Sequence, residues 1–139
     1  MVHALGEIHR VLKPGGILID LRPIEERWPV EIATATSIVE AGRLTDLPTA
    51  LADNEAASHA VLEAHSHGWF TRNLEEEFPL FYYWDTPSEM SEFLETEWDE
   101  FEKLEESEFA AVKSVWATAN ADARIRIRVK MLITKWGKR

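Results

Sequence analysis

The sequence predicts an α/β fold, and three observations carry that reading. An opening helix passes through a glycine turn into an apolar strand. Two later segments alternate with the period of a strand, and the stretches between them carry helical spacing and a clear helix start. At 139 residues the chain is read as a single domain, 1–139, long enough to bury one real core.

The opening helix is expected over about Val2–Leu12, where Leu5, Ile8, Val11 and Leu12 fall three and four apart and make one apolar stripe. Pro14 cannot continue it, and Gly15 and Gly16 permit the positive φ of a tight exit. "ILIDL" follows, apolar on both faces except for Asp20, which predicts an inner parallel strand over 17–22, covered on two sides. Pro23 ends it. In "PVEIATATSIVEAGRL", Val30, Ile32, Thr34, Thr36 and Ile38 alternate with Glu31, Ala33, Ala35 and Ser37, favouring an extended arm over 29–39. Ile32, Ala35, Val39 and Gly42 also fit a helix. The next helix is expected over about Thr49–His65, closed by Gly68, with Ala50, Ala57, Ala60, Val61 and Ala64 on its apolar side.

"NLEEEFPLFYYWD" reads as a strand over 74–84, and Pro79, which lacks a ladder donor, places it at a sheet edge. "TPSE" then starts a helix: Thr86 caps, Pro87 takes the first helical position, and Glu89 stands three beyond the cap. Met90, Phe93, Leu94, Trp98, Phe101 and Leu104 are its expected buried stripe. A further helix is expected over about Ser107–Ala119, with Phe109, Val112, Val115 and Trp116 inward. Last, Ile125, Ile127, Val129, Met131 and Ile133 alternate with Arg124, Arg126, Arg128 and Lys130, a long strand over 124–134 expected antiparallel to 74–84.

Charge narrows the functional classes. The net charge of −10 speaks against a general affinity for nucleic acid. It is unevenly spread: residues 75–108 hold 14 of the 25 acids and one base, Lys103, whereas from Arg124 to Arg139 there are seven bases and no acid. The reading is mutual neutralisation within one fold, with the arginines of the last strand facing Glu75, Glu76, Glu77 or Asp85. Each such cross-strand pair contributes ~0.2–1 kcal/mol. The absence of cysteine excludes disulfides, thiolate metal sites and cysteine nucleophiles. No apolar run reaches bilayer length and no basic region precedes an apolar one, so the reading is cytoplasmic, with no membrane partner. No metal is assigned. His65 and His67 point in different directions at a helix end, with His59 six residues back, and are read as solvated histidines near the negative helix terminus. The aromatic set of Trp69, Phe70, Phe78, Phe81, Tyr82, Tyr83 and Trp84 is read as packing before it is read as a pocket.

"LGEIHRVLKPGGILIDLRP" resembles the helix, turn and fifth strand of class I S-adenosylmethionine-dependent methyltransferases. Leu5, Glu7, Arg10, Val11, Leu12, Lys13, Pro14, Gly15 and Gly16 match the family's pattern in order. The resemblance implies a partial Rossmann-like methyltransferase sheet with covering helices. Residues 17–22 would be strand five, 74–84 strand six, and 124–134 strand seven, reversed and lying between the other two. The helical stretches around 49–67 and 87–119 would be elaborations. What the family uses to hold its cofactor is missing: no Gly-x-Gly-x-Gly pattern occurs, and the half of the sheet that would carry it does not precede the motif. The resemblance therefore implies S-adenosylmethionine as the family cofactor, no cofactor-binding residue here, and no binding of it by this chain alone.

Ligands of open α/β sheets sit beyond the carboxyl ends of the parallel strands. Asp20 and Arg22, with Trp28 nearby in sequence, are accordingly the substrate-side candidates, and no catalytic residue is assigned. The implied function is the substrate-side half of a methyltransferase, not competent alone. The alternative is a non-catalytic interaction or dimerisation module derived from that fold. Either way the apolar edge of strand 17–22 is expected to be covered, by a second copy in a homodimer or by the 29–39 arm.

Overall fold

A computed structural model describes residues 1–139 as a mixed α/β chain. In chain order the elements are α1 (Val2–Val11), β1 (Ile17–Pro23), β2 (Pro29–Ala33), β3 (Ile38–Arg43), β4 (Thr45–Asp46), α2 (Pro48–Ser66), β5 (Phe70–Trp84), α3 (Pro87–Glu97), β6 (Glu102–Lys103), α4 (Glu106–Ala117) and β7 (Arg124–Lys138). Their contacts divide into two compact units. The first comprises Met1–Ile24, Ala52–Phe78 and Met131–Arg139, and the second Glu25–Leu51 and Pro79–Lys130. No helix is long and apolar enough to cross a membrane.

In the first unit β1 pairs with β7 in antiparallel register, from Ile17 opposite Gly137 to Pro23 opposite Met131. β5 also pairs with β7. The Arg139 amide donates to the Trp69 carbonyl at 3.0 Å, and Gly137 lies against Asn73, so these two strands run in opposite directions. β7 is therefore flanked by β1 and β5. The segment 17–22 is not the inner parallel strand expected: its one neighbour is β7, and it is antiparallel. Nor is it covered on two sides. Leu18 packs with Leu5, Ile8 and Leu12 around Ala64, Phe70 and Trp136, whereas Ile17, Ile19 and Leu21 remain 50%, 50% and 54% exposed. An apolar run alone did not reveal that one face of β1 stays half-exposed.

The helices of this unit follow their stripes closely. On α1, Leu5, Ile8 and Leu12 turn inward, but Val11 is 64% exposed, so the stripe is narrower than expected. The two turn glycines serve different needs. Gly15 takes φ +74°, where a side chain is strained, while a Cβ at Gly16 would fall 2.8 Å from the Lys13 carbonyl oxygen. Ala60 and Ala64 bury α2, and Gly68 closes it at φ +73°. Lys138 donates from Nζ to the Leu12 carbonyl at 2.6 Å, neutralising the exit of α1.

In the second unit the 29–39 segment is a hairpin, not an arm over the edge of β1. β2 and β3 pair antiparallel around a Thr34–Ser37 turn, with a bulge between Val30 and Glu31. β2 also pairs with β7, Val30 opposite Ile127 and Ala33 opposite Arg124. Val30, Ile32, Ile125 and Ile127 are buried there. α4 lies so close to β3 that a Cβ on Gly42 would sit 2.9 Å from Glu108 Oε2.

The start of α3 is as expected: Thr86 accepts from the Glu89 amide, and the Glu89 carboxylate accepts from the Thr86 amide. The expected stripe overran the helix. α3 ends at Glu97, β6 intervenes before α4, and Phe101 is left 39% exposed. Tyr82, Trp84, Phe93 and Trp98 form a ring cluster, with Tyr82 edge-on to Trp98 at 5.0 Å. Charge neutralisation is partly as expected. Arg124 pairs with Asp85 at 3.2 Å, but Glu75 pairs with Arg72. The main acid is one the alternation did not single out: buried Glu31 takes Arg126 at 2.9 Å and Arg128 at 3.4 Å.

Two substitutions test the local physics. Gly15→Ala should cost about 1–2 kcal/mol for a left-handed side chain, and Thr86→Ala about 1 kcal/mol for a lost cap. Urea unfolding reads both, and a neutral Gly15→Ala would contradict the turn described here.

Candidate functional site

Asp20 and Arg22 come together in the first unit. Their charged atoms lie 3.2 Å apart, and Arg22 Nη1 donates to the Asn54 carbonyl at 3.1 Å and to Ser58 Oγ at 3.0 Å. On the other side Trp136 donates to Thr134 Oγ1 at 2.8 Å, and Thr134 in turn donates to Asp20 at 3.4 Å. The result is a polar chain from a buried indole through β7 and β1 to α2. Both charges are turned inward and engaged. Trp28 is not with them: it belongs to the second unit, is 5% exposed, and packs edge-on to Trp98 at 5.8 Å.

The histidines are dispersed. His65 donates from Nδ1 to the Phe70 carbonyl at 2.8 Å, fixing the chain after α2. His59 and His67 approach the Glu63 carboxylate at 3.6 and 3.5 Å. His9 stacks on Trp69.

The most unusual chemistry lies in the second unit, where three carboxylates converge. β4 and β6 form a short antiparallel ladder with Asp46 opposite Glu102. Buried Leu44 anchors β4, its amide donating to the Trp28 carbonyl at 3.0 Å. The Leu47 amide binds the Phe101 carbonyl at 2.9 Å and locks the ladder's other end. Arg27 takes φ +50°, a left-handed conformation uncommon for a side chain of its size. That bend points its amide at Asp46, whose two carboxylate oxygens both accept it at 3.1 Å. Glu25 precedes the bend. One carboxylate oxygen from each of Glu25, Asp46 and Glu102 lies within 4.8 Å of the others.

Glu102 is 2% exposed, and no amide, hydroxyl or basic group donates to either of its oxygens. Burial, then hydrogen bonding and repulsion from the Glu25 and Asp46 carboxylates beside it, pushes its pKa up to about 10. Burial likewise raises Glu25, one of whose oxygens is sealed and unbonded. Basic side chains along these loops are engaged with other acids: Lys103 with Glu105 at 3.4 Å, Arg43 with Glu40 at 2.8 Å, and Lys130 with Glu26 at 2.8 Å.

Sequence reasoning missed this cluster. Its members come from three separate segments, and Glu102 stands inside the acidic run 75–108 that was read as neutralised surface. The one available signal was the crowding of acids around Glu25 and Glu102, which carries no geometry.

By its fold the chain is a mixed α/β protein with antiparallel sheets. It matches no known family, no curated protein and no solved structure, so the methyltransferase resemblance rests on the residues that carry it.

Glu102 makes stability depend on pH in a defined direction. With no cation bound, the native state keeps a proton on Glu102 up to about pH 10, whereas the unfolded chain releases it above 4.5. The contribution of Glu102 to stability should therefore be full below that lower value and be lost as pH rises between the two. Glu102→Gln should flatten the fall in chelator-treated protein, as read by thermal melts from pH 5 to 9. A wild-type melting temperature that rises steadily across that range would contradict the assignment.

Proposed function

We propose that this chain is the substrate-side half of an S-adenosylmethionine-dependent methyltransferase sheet, and that a half bearing the glycine-rich loop pairs with the free edge of β1. The observation carrying this is strand order in the first unit. β7 runs antiparallel between β1 and β5, the reversal that the opening motif implies for strands five, seven and six. β1 has β7 as its single neighbour, which leaves one row of backbone groups unpaired beside exposed Ile17, Ile19 and Leu21. On this reading Asp20 and Arg22 hold the carboxyl end of β1 against α2, where a methyl acceptor would approach. They are positioning residues, since both are already paired.

Titration calorimetry with S-adenosylmethionine tests the proposal. Residues 1–139 should give no saturable heat. A chain extended by the reading frame immediately upstream in the gene should carry the glycine-rich loop and bind. Binding by residues 1–139 alone, or an extended chain that binds nothing, would overturn it.

The same edge favours a second reading, a non-catalytic dimerisation module. Antiparallel pairing of β1 with its own copy can set Ile19 against Ile19 and Ile17 against Leu21, with no like charges directly opposite. Sedimentation separates the two. A wild-type dimer that Ile19→Lys converts to monomer supports the module, and a wild-type monomer at every concentration removes it.

A further inference from the structure

We infer that Glu25, Asp46 and Glu102 form a binding site for one hard divalent cation. The inference is independent of the methyltransferase reading and stands or falls without it.

Three features point to a ligand. First, the oxygens of the three carboxylates lie within 4.8 Å of one another. Ca²⁺–oxygen distances of 2.3–2.6 Å place ligands on opposite sides of one ion roughly 4.6–5.2 Å apart, and the shorter Mg²⁺ bonds about 4.0–4.2 Å. A single ion can thus reach all three oxygens. Second, Glu102 is 98% buried, one of its oxygens belongs to the cluster, and neither oxygen has a hydrogen-bond donor. A buried carboxylate left without a partner is costly, and native proteins seldom retain one without a water, an ion or a proton beside it. Third, the cluster is held in place from outside. The Arg27 amide fixes Asp46 from behind, the β4–β6 ladder fixes Glu102 opposite it, and Arg43, Lys103 and Lys130 are paired with other acids.

The donor set selects the ion. Three carboxylate oxygens, with no sulfur and no imidazole among them, suit Ca²⁺, Mn²⁺ or Mg²⁺ better than zinc or copper. One dication would displace the proton from Glu102 and leave the three carboxylates with one net negative charge. Glu25 and Asp46 are half-buried and give the ion a way in, with water completing its shell. A proton shared between Glu25 and Glu102 is the competing occupant, and it predicts no cation dependence.

The experiment uses the whole chain, stripped with chelator and dialysed, then titrated calorimetrically with CaCl₂, MnCl₂ and MgCl₂ in turn. At least one should bind saturably at a one-to-one ratio and raise the melting temperature. Loss of outer-shell partners alone typically weakens metal sites 10–100-fold, so Glu102→Gln and Asp46→Asn should each weaken binding by at least about ten-fold. Glu102→Gln, nearly isosteric, should keep the wild-type circular dichroism while losing the cation-induced rise. Glu25→Gln, at a half-buried position, provides a second folded variant. Glu95→Gln, exposed on α3, should bind as wild type does. Absence of saturable binding by all three ions, or binding undiminished in both Glu102→Gln and Asp46→Asn, would overturn the inference.

Discussion

The fold depends on one strand that changes its buried face partway along. In its first half β7 buries Ile125, Ile127 and Val129, and in its second half Leu132, Thr134 and Trp136. The parity of the buried side switches between Val129 and Leu132, so each unit receives its own row of inward side chains from the same backbone. In the first half the opposite face carries charge, Arg126 and Arg128 converging on Glu31, whereas Lys138 continues the inward side of the second half and reaches the end of α1. A buried acid with an arginine on each of its oxygens compensates a charge whose desolvation is otherwise expensive. β2 can therefore carry Glu31 in an otherwise apolar strand.

What could be read in the sequence was whatever local physics decides. The Thr86, Pro87 and Glu89 start of α3 is complete within four residues and forms as expected. The alternation of β7 announced a strand, and Pro79 announced an edge. The β2–β3 hairpin was only half legible: "ATATS" is small and polar on both faces, so no periodicity marks the turn. The length of α3 was overestimated because Phe101 and Leu104 continue a helical spacing after the chain has left the helix. Pattern cannot tell a helical position from a turn that happens to keep step.

The candidate sites divide along the same line. Asp20 and Arg22 were visible as charges in an apolar strand, yet their partners Asn54, Ser58 and Thr134 are fixed only by tertiary packing. Trp28 lay close to them in sequence and joined a different core. The carboxylate cluster was illegible because it is assembled by a two-residue ladder and one left-handed arginine, and neither leaves a spacing rule. Its energetic signature is unambiguous by contrast: like charges brought together and removed from water require a proton or a cation among them.

The shared strand also dictates an order of events. Helices and the β2–β3 hairpin involve near neighbours and can form early, but β1 waits for residues more than a hundred positions downstream. Contacts of such separation slow folding and prolong the exposure of apolar surface. Until β7 is in place, β1 has no strand to pair with and its apolar side chains stay open.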